Sequence, residues 1–212
     1  MGHKSDILYP LIIKSRVIVD LGANNGKEVK KFLKLAPKAE MHIFEPNPKW
    51  VKFLTSKFKK KTNCHIYNFA ISDVDGYATF NMEKEGKNKS ASLRKTTKRH
   101  SAVFNREIKV PTVRLDTWYE EHKLGCIDFL WADVEGSERG LILGGSATLK
   151  NTKYLYLEYS EKEYLHGMAL LPEILDLLSS DFDLVGKYPW FNEEKNKYWH
   201  FGNILLKNKH IG

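Results

Sequence analysis

Apolar positions change period along this chain, and the changes mark its elements. RVIVD (16–20) is a short, strongly apolar run ending in an acid, as a buried strand would. KEVKKFLKLA (27–36) then puts Val29, Phe32, Leu33 and Ala36 on one face, which predicts a helix. The order repeats. MHIFE (41–45) predicts a second strand, and PKWVKFLTSKF (48–58) a helix with Val51, Leu54 and Phe58 at helical spacing and Pro48 at its start. CHIYNFA (64–70) predicts a third strand. GYATFNM (76–82) and EIKVPTVRL (107–115) alternate as half-exposed strands do. The polar loop between them, 83–105, is long enough to be expected to carry function. After a short helix near Thr117 to His122 come IDFLWAD (127–133), a helical stretch from Ser137 and YLYLEYS (154–160). LPEILDLLSS (171–180) predicts a further helix, and DFDLVGK (181–187) and FGNILLK (201–207) the last two strands.

Strands alternating with helices predict an α/β domain with a largely parallel sheet, its right-handed crossovers placing helices on both faces. Ligands of such sheets bind beyond the carboxyl ends of the strands, near the topological switch point. Asp20, Glu45, Asp133 and Glu158 all stand at or near strand ends, so they are expected to gather on one edge. The densest acidic stretch is WADVEGSE (131–138), which sets Asp133, Glu135 and Glu138 just after an apolar strand. Acids placed there read as a site.

Length and composition suit one domain over residues 1–212, with termini placed as those of a domain excised from a larger polypeptide would be. Hydrophobic residues make up 42% and charged residues 28%, ordinary for a soluble globular protein. The first apolar run, ILYPLII, contains a proline and is not a secretory signal. No stretch reaches the roughly 18 apolar residues of a membrane helix, and MGHKSD places Asp6 where myristoylation needs Ser or Thr. Cys64 and Cys126 lack metal-ligand spacing and are expected to be buried thiols without a disulfide, in a reducing, cytoplasmic compartment. The net charge of +8 comes from lysines spread over 27–38, 49–61 and 84–99. Solvated helix faces account for most of them, and attraction to phosphate is the sharper reading.

VIVDLGANNGKEVKKF is a strand, a glycine turn and a helix. Gly22 is expected to make a tight turn that lets a ligand approach the backbone, and Gly26 to permit close packing at the helix start. The helix N-terminus offers unpaired N–H groups. Asp20 is placed to accept from an ammonium group, and Glu45 to accept both hydroxyls of a ribose. A phosphate-binding G-x-x-x-x-G-K-[ST] loop is absent, because Gly26 is followed by Lys27 and Glu28. The dinucleotide G-x-G-x-x-G is absent too, because Asn24 stands at its second glycine. The pattern suits S-adenosylmethionine, with Asp20 at the amino acid end and Glu45 at the ribose. VDLGANNG, FEPNP, NFAISDVDG, VRLDTW, IDFLWADVEGSE and the late FGN together resemble the FkbM family of S-adenosylmethionine-dependent methyltransferases, in order from Val17 to Leu206. The resemblance implies a Rossmann-like class I methyltransferase fold, a seven-stranded mostly parallel sheet with an antiparallel last strand. It also implies O-methylation of sugars or sugar-bearing products, and marks Asp20, Gly22, Asn24, Glu45, Asn68, Ala70 and Asp133 as cofactor neighbours.

Methyl transfer needs an aligned acceptor and, for an alcohol, a proton acceptor. Asp133 is the first choice as base or orienter of the acceptor hydroxyl; Glu135 is placed to hold a second hydroxyl, and Glu138 to support the following helix turn. Glu158, ending YLYLE, is the second catalytic candidate. Asp133 and Glu158 together could share a divalent cation, but the sequence shows no third ligand and metal dependence is not favoured. Ser92, within the small-residue stretch 90–92, is a candidate lid residue over the acceptor. Trp190, Trp199, His200 and Asn203 are weaker substrate candidates; His166 or His200 could act as a base at neutral pH, with a surface role the readier reading for each. The expected acceptor is a sugar or glycan, for instance a deoxyhexose such as rhamnose. The runner-up is an RNA 2′-O-methyltransferase, with Lys14 or Lys162 in a lysine–acid relay; no interleaved aromatic pattern of an RNA-stacking module supports it. A non-catalytic binding module is the third reading, and the presence of both Asp20 and Glu45 speaks against it.

Overall fold

The structure is a computed structural model that describes residues 4–83, 91–98, 104–192 and 197–212. Its N-terminal segment is helical, which the sequence did not predict. Helix α1 (Lys4–Lys14) carries Pro10 in its interior, normally a costly place for proline. Leu8 and Ile12 are buried from it, and they pack with Val29, Phe32 and Leu33 of α2 (Lys27–Leu35). Burial outweighs the local penalty.

The main sheet is built from β1 (Val17–Leu21), β2 (Glu40–Phe44), β3 (Cys64–Tyr67), β8 (Ile127–Ala132), β9 (Thr152–Ser160), β10 (Phe182–Asn192) and β11 (Lys197–Asn208). Its order is β10-β11-β9-β8-β1-β2-β3. The five strands from β9 to β3 run parallel, while β11 is antiparallel to both its neighbours. The seven-stranded sheet with an antiparallel last strand is therefore present. The chain leaves β1 toward β2 on one side, and β8 lies on the other, so the switch point falls between Leu21 and Ala132, which pair in register.

Alternation along the strands divides the core into two layers. Ile18, Phe129, Tyr156 and Leu205 face α1, α2 and α3 (Pro48–Phe58). Val19, Leu21, Leu130, Leu157 and Ile204 face α4 (Leu115–His122), α5 (Glu138–Gly144), α6 (Ser146–Lys150) and α7 (Leu171–Leu178). Helix α3 begins as predicted at Pro48, and the Asn47 side chain caps it by accepting from Lys49 N at 3.0 Å.

The predicted strand 64–70 is split. It ends at Tyr67, and the chain enters a second sheet at β4 (Ala70–Ser72). That sheet also holds β5 (Gly76–Glu83), β6 (Ala91–Ser92) and β7 (Phe104–Arg114), in the order β4-β7-β5-β6. The alternating segments thus form their own sheet instead of extending the first. Part of the long loop, 91–98, is described; Ser90, Lys84 and Arg99 lie outside the described residues. Both cysteines are free, as expected, but they are not buried: Cys64 is half-buried and Cys126, one residue before β8, is exposed. Among the described residues no helix is long and apolar enough to cross a membrane.

Candidate active site

Three strand ends meet at Gly22. Its N–H and that of Ala23 both donate to Phe44 O, at 3.0 and 2.9 Å, while Asp133 N donates to Leu21 O at 2.9 Å. Gly22 has φ +89, and a Cβ there would lie 1.9 Å from the Asp133 carbonyl oxygen. The glycine is thus required by the protein's own backbone, a stronger constraint than the expected approach of a ligand. Gly26, at φ +67, behaves as predicted: a Cβ there would sit 2.6 Å from Leu54 Cδ2.

Asn24, in the left-handed region at φ +48, donates its N–H to Glu45 Oε2 at 2.7 Å, and Asn47 N donates to Glu45 Oε1 at 2.8 Å. The Glu45 carboxyl is buried, and burial pushes its pKa up to about 7 against the pull of these two N–H groups. The Asn68 amide donates to the carbonyls of Glu45 and Pro46, at 3.0 and 2.9 Å. Asn68 therefore anchors the loop that presents Glu45, a less direct placement than that of a cofactor-lining residue. Ala70 lines the cleft beside Glu45, together with Pro46, Phe69 and Phe80.

A second cavity of about 750 Å³ adjoins this cleft, lined by Asp20, Phe32, Trp131, Trp190 and Asn203 among others. Gly22, Asn24, Asp133 and Glu135 line both. Asp20 is 1% exposed, and its Oδ2 has no hydrogen-bond partner. Burial, then Glu28, Asp133 and Glu45, holds its pKa well above the usual carboxylate range. A buried carboxyl with an unsatisfied oxygen among other acids favours a cation or a proton. The ammonium group of S-adenosylmethionine supplies the donor and the charge, and Glu45 supplies acceptors for ribose hydroxyls, so the residues present fit this cofactor.

The acidic turn 133–138 divides its labour. Asp133 is exposed at the end of β8. Glu135 and Gly136 are both left-handed, at φ +48 and +88. Burial raises the Glu135 pKa to about 8, with Asp133 and Glu138 adding to it. Glu138 is buried at the start of α5, accepts from Gly136 N at 3.2 Å and keeps Oε2 unpartnered; burial raises its pKa to about 7. Glu138 thus holds the turn ahead of α5 through a backbone hydrogen bond. Ser92 is buried, donates to Glu135 O at 2.6 Å and accepts from Arg94 N at 2.9 Å. Its hydroxyl is engaged with backbone. Arg94, which the sequence did not single out, donates from Nε to Gly136 O and from Nη1 to His166 O.

The remaining candidates separate. Trp190 Nε1 donates to Asn203 Oδ1 at 3.2 Å, and both line the larger cavity. Trp199 stacks on Phe201, which packs against Trp190, so it stands behind that wall. Glu158 is half-buried opposite Asn203 in the β9–β11 register, and it lines neither cavity. Among the described residues no group of three or more His, Cys, Asp and Glu side chains is placed to hold a metal ion. His200 is exposed and joined to Lys162 Nζ at 2.9 Å and Glu161 at 3.4 Å; alternation puts it on the opposite face of β11 from Asn203. His166 is exposed and enters the structure through its backbone.

The raised carboxyls predict how stability responds to pH. Each folded-state pKa exceeds its unfolded value, so the folded state retains protons that the unfolded chain releases above about pH 4.5. This contribution is complete below that pH and is lost as pH rises through about 7 for Glu45 and Glu138 and about 8 for Glu135. The ligand-free midpoint of thermal unfolding is expected to fall between pH 6.5 and 8.5, above the range where His42, held neutral by burial with its pKa lowered to about 3, adds stability as pH rises; the fall is roughly 3–6 °C for each pKa unit expressed. Glu138→Gln should flatten the slope. A midpoint that climbed over this range would contradict the reading.

A family model described as the methyltransferase FkbM domain matches residues 20–184. The 2-O-methyltransferase NoeI of Sinorhizobium fredii is 36% identical over 201 residues, 91% of this chain and 79% of NoeI. At the level of fold, fibrillarin of Aeropyrum pernix, solved with bound S-adenosyl-L-methionine, has a TM-score of 0.53 at 12% identity, covering 92% of this chain and 67% of its own. A Streptococcus mutans protein solved in complex with SAH has a TM-score of 0.55 at 8% identity, covering 98% and 99%. With the sheet order and the extent of these matches, the chain belongs to the FkbM family of S-adenosylmethionine-dependent O-methyltransferases.

Proposed function

We propose that this enzyme methylates a hydroxyl of a sugar or glycan held in the larger cavity. One observation carries the reading: Asp133 and Glu135 line both the cleft that fits the nucleoside and the cavity walled by Trp190 and Asn203. An acceptor there meets carboxylates, an amide and an indole face, the groups that orient a polyol. S-adenosylmethionine, when bound, supplies an electrophilic methyl group for in-line displacement. Glu45 holds the ribose hydroxyls and Asp20 the ammonium group. Asp133 orients the acceptor hydroxyl and takes its proton. Glu135, largely protonated at neutral pH because of burial, donates to or accepts from a neighbouring hydroxyl. The relative named as a 2-O-methyltransferase supports O-methylation, and a deoxyhexose such as rhamnose is the acceptor to try first. The RNA reading loses support from the placement of its relay: neither Lys14 nor Lys162 lines the cavity, and Lys162 is bonded to His200.

Calorimetric titration with S-adenosylmethionine and S-adenosylhomocysteine tests the nucleoside half. Micromolar affinity, about −8 kcal/mol, is expected, with Glu45→Ala weakening it about 10- to 100-fold through lost charge-assisted bonds. Transfer of radiolabelled methyl groups to methyl glycosides (rhamnoside, fucoside, glucoside) against bulk RNA then tests the acceptor. Label entering RNA and no glycoside would overturn the sugar assignment.

A further inference from the structure

Segment 91–98 lies outside the sheet that carries the site, yet its side chains end on the catalytic turn. It leaves the second sheet at β6, where Asn81 pairs with Ser92 and the Asn81 amide donates to Ser92 O at 3.2 Å. It then docks on 164–166, through Thr97 N to Tyr164 O and His166 N to Lys95 O, both at 2.9 Å. Between these anchors it crosses the turn. There Ser92, only 1% exposed, donates to Glu135 O at 2.6 Å. Arg94 donates to Gly136 O at 2.5 Å and to His166 O at 3.2 Å. The two carbonyls so held belong to consecutive left-handed residues. For Glu135 this conformation is one that side chains rarely adopt, and the surroundings must hold it.

We infer that Ser92 and Arg94 are positioning residues for methyl transfer, fixing the left-handed turn that places Glu135 where the cofactor cleft meets the acceptor cavity. The inference rests on the reading of Glu135 as an acceptor-site group. Strap and turn act as one unit: the hydroxyl and the guanidinium each bind a carbonyl that lies beside the Glu135 peptide, so losing either lets the turn relax and the half-buried carboxyl become more solvated. The charged groups around Glu135 are Asp133 on the same turn, Glu138 from α5, Arg94 from the strap through Gly136 O, and, across the cavity, Asp20 from β1 and Lys27, Glu28 and Lys31 from α2. Ser92→Ala changes none of these charges, so any change in Glu135 reports its placement.

The test titrates Glu135 directly, by carboxyl-carbon magnetic resonance on protein carrying labelled glutamate, with Glu135→Gln assigning the signal. In the natural sequence the Glu135 carboxyl is expected to titrate near pH 8. In Ser92→Ala, and in Arg94→Lys, which keeps the charge but not the fork, the midpoint should fall by a unit or more as the group becomes solvated. Ser92→Thr, which keeps the hydroxyl, should restore it. Binding of S-adenosylhomocysteine, expected to stay within about threefold, monitors the fold and the cofactor site. With the methyl rhamnoside as acceptor, kcat should fall tenfold or more while KM for S-adenosylmethionine stays within threefold. An unchanged Glu135 midpoint in both Ser92→Ala and Arg94→Lys would overturn the inference, as would an ordinary carboxylate midpoint in the natural sequence. Failure of the rhamnoside to be methylated by any form would instead count against the acceptor assignment, leaving the resonance measurement to decide the positioning role.

Discussion

Asp133→Asn is expected to lower turnover by about 10²–10⁴-fold, the usual worth of a general base, while S-adenosylmethionine affinity changes severalfold at most. The substitution keeps the shape of the side chain and the Asp133 N to Leu21 O bond that fixes the end of β8. It removes the capacity to take a proton, together with a negative charge that helps raise the pKa of Asp20, Glu45, Glu135 and Glu138. Asp133 is exposed at the junction of the two cavities, where an acceptor hydroxyl can reach it. Glu135→Gln provides the contrast. With its pKa raised to about 8 by burial, Glu135 is mostly a neutral acid at pH 7, and glutamine mimics that form. Its loss should therefore matter little at pH 7 and more at pH 9, where the natural side chain is ionised. Rate measurements of both variants at the two pH values decide the assignment. If Asp133→Asn turned over normally and Glu135→Gln failed at pH 9, the base would be Glu135.

Where apolar periodicity and local capping decide an element, the sequence was a sufficient guide. Helix α3 has the predicted bounds because Pro48 and the Asn47 cap act locally. Of the four acids expected to gather because strand ends share one sheet edge, Asp20, Glu45 and Asp133 line the joined cavities and Glu158 lines neither. Features that depend on distant partners were not legible. Helix α1 exists because Leu8 and Ile12 find Phe32 and Leu33, which no reading of ILYPLII with its proline could supply. The break at Asn68 depends on carbonyls of Glu45 and Pro46 more than twenty residues away. His200 looked like a site residue from its place near a strand end, but β11 runs antiparallel and alternation turns that side chain to the other face. Arg94 gave no signal in a lysine-rich loop, because its meaning lies in carbonyls of residues 136 and 166.

Gly22→Ala is expected to be far more damaging than its size suggests. The added methyl would sit 1.9 Å from the Asp133 carbonyl oxygen and 3.0 Å from its carbon. Both atoms are backbone, so no rotamer change relieves the clash; β1 and β8 must move apart. Movement strains the bonds that join their ends, Asp133 N to Leu21 O and Gly22 N to Phe44 O. Overpacking costs about 1–3 kcal/mol, and holding an alanine in the left-handed region adds about 1–2 kcal/mol. Together these predict a loss of roughly 2–5 kcal/mol, seen as a fall in the thermal midpoint of about 10 °C. Gly26→Ala makes the control. It also sits at positive φ, but its Cβ meets the side-chain ends of Leu54 and Phe58, which can shift, so its loss should be smaller. The two variants should differ in function as well. Gly22 and Asp133 line both cavities, so separating their strands displaces Asp133 from Asp20 and Glu45 at once. At a temperature where Gly22→Ala is still folded, S-adenosylhomocysteine binding should fall by tenfold or more, while Gly26→Ala binds within a few fold of the natural protein. Equal stability losses and equal affinities for the two variants would show that contact between Gly22 and Asp133 does not organise the site.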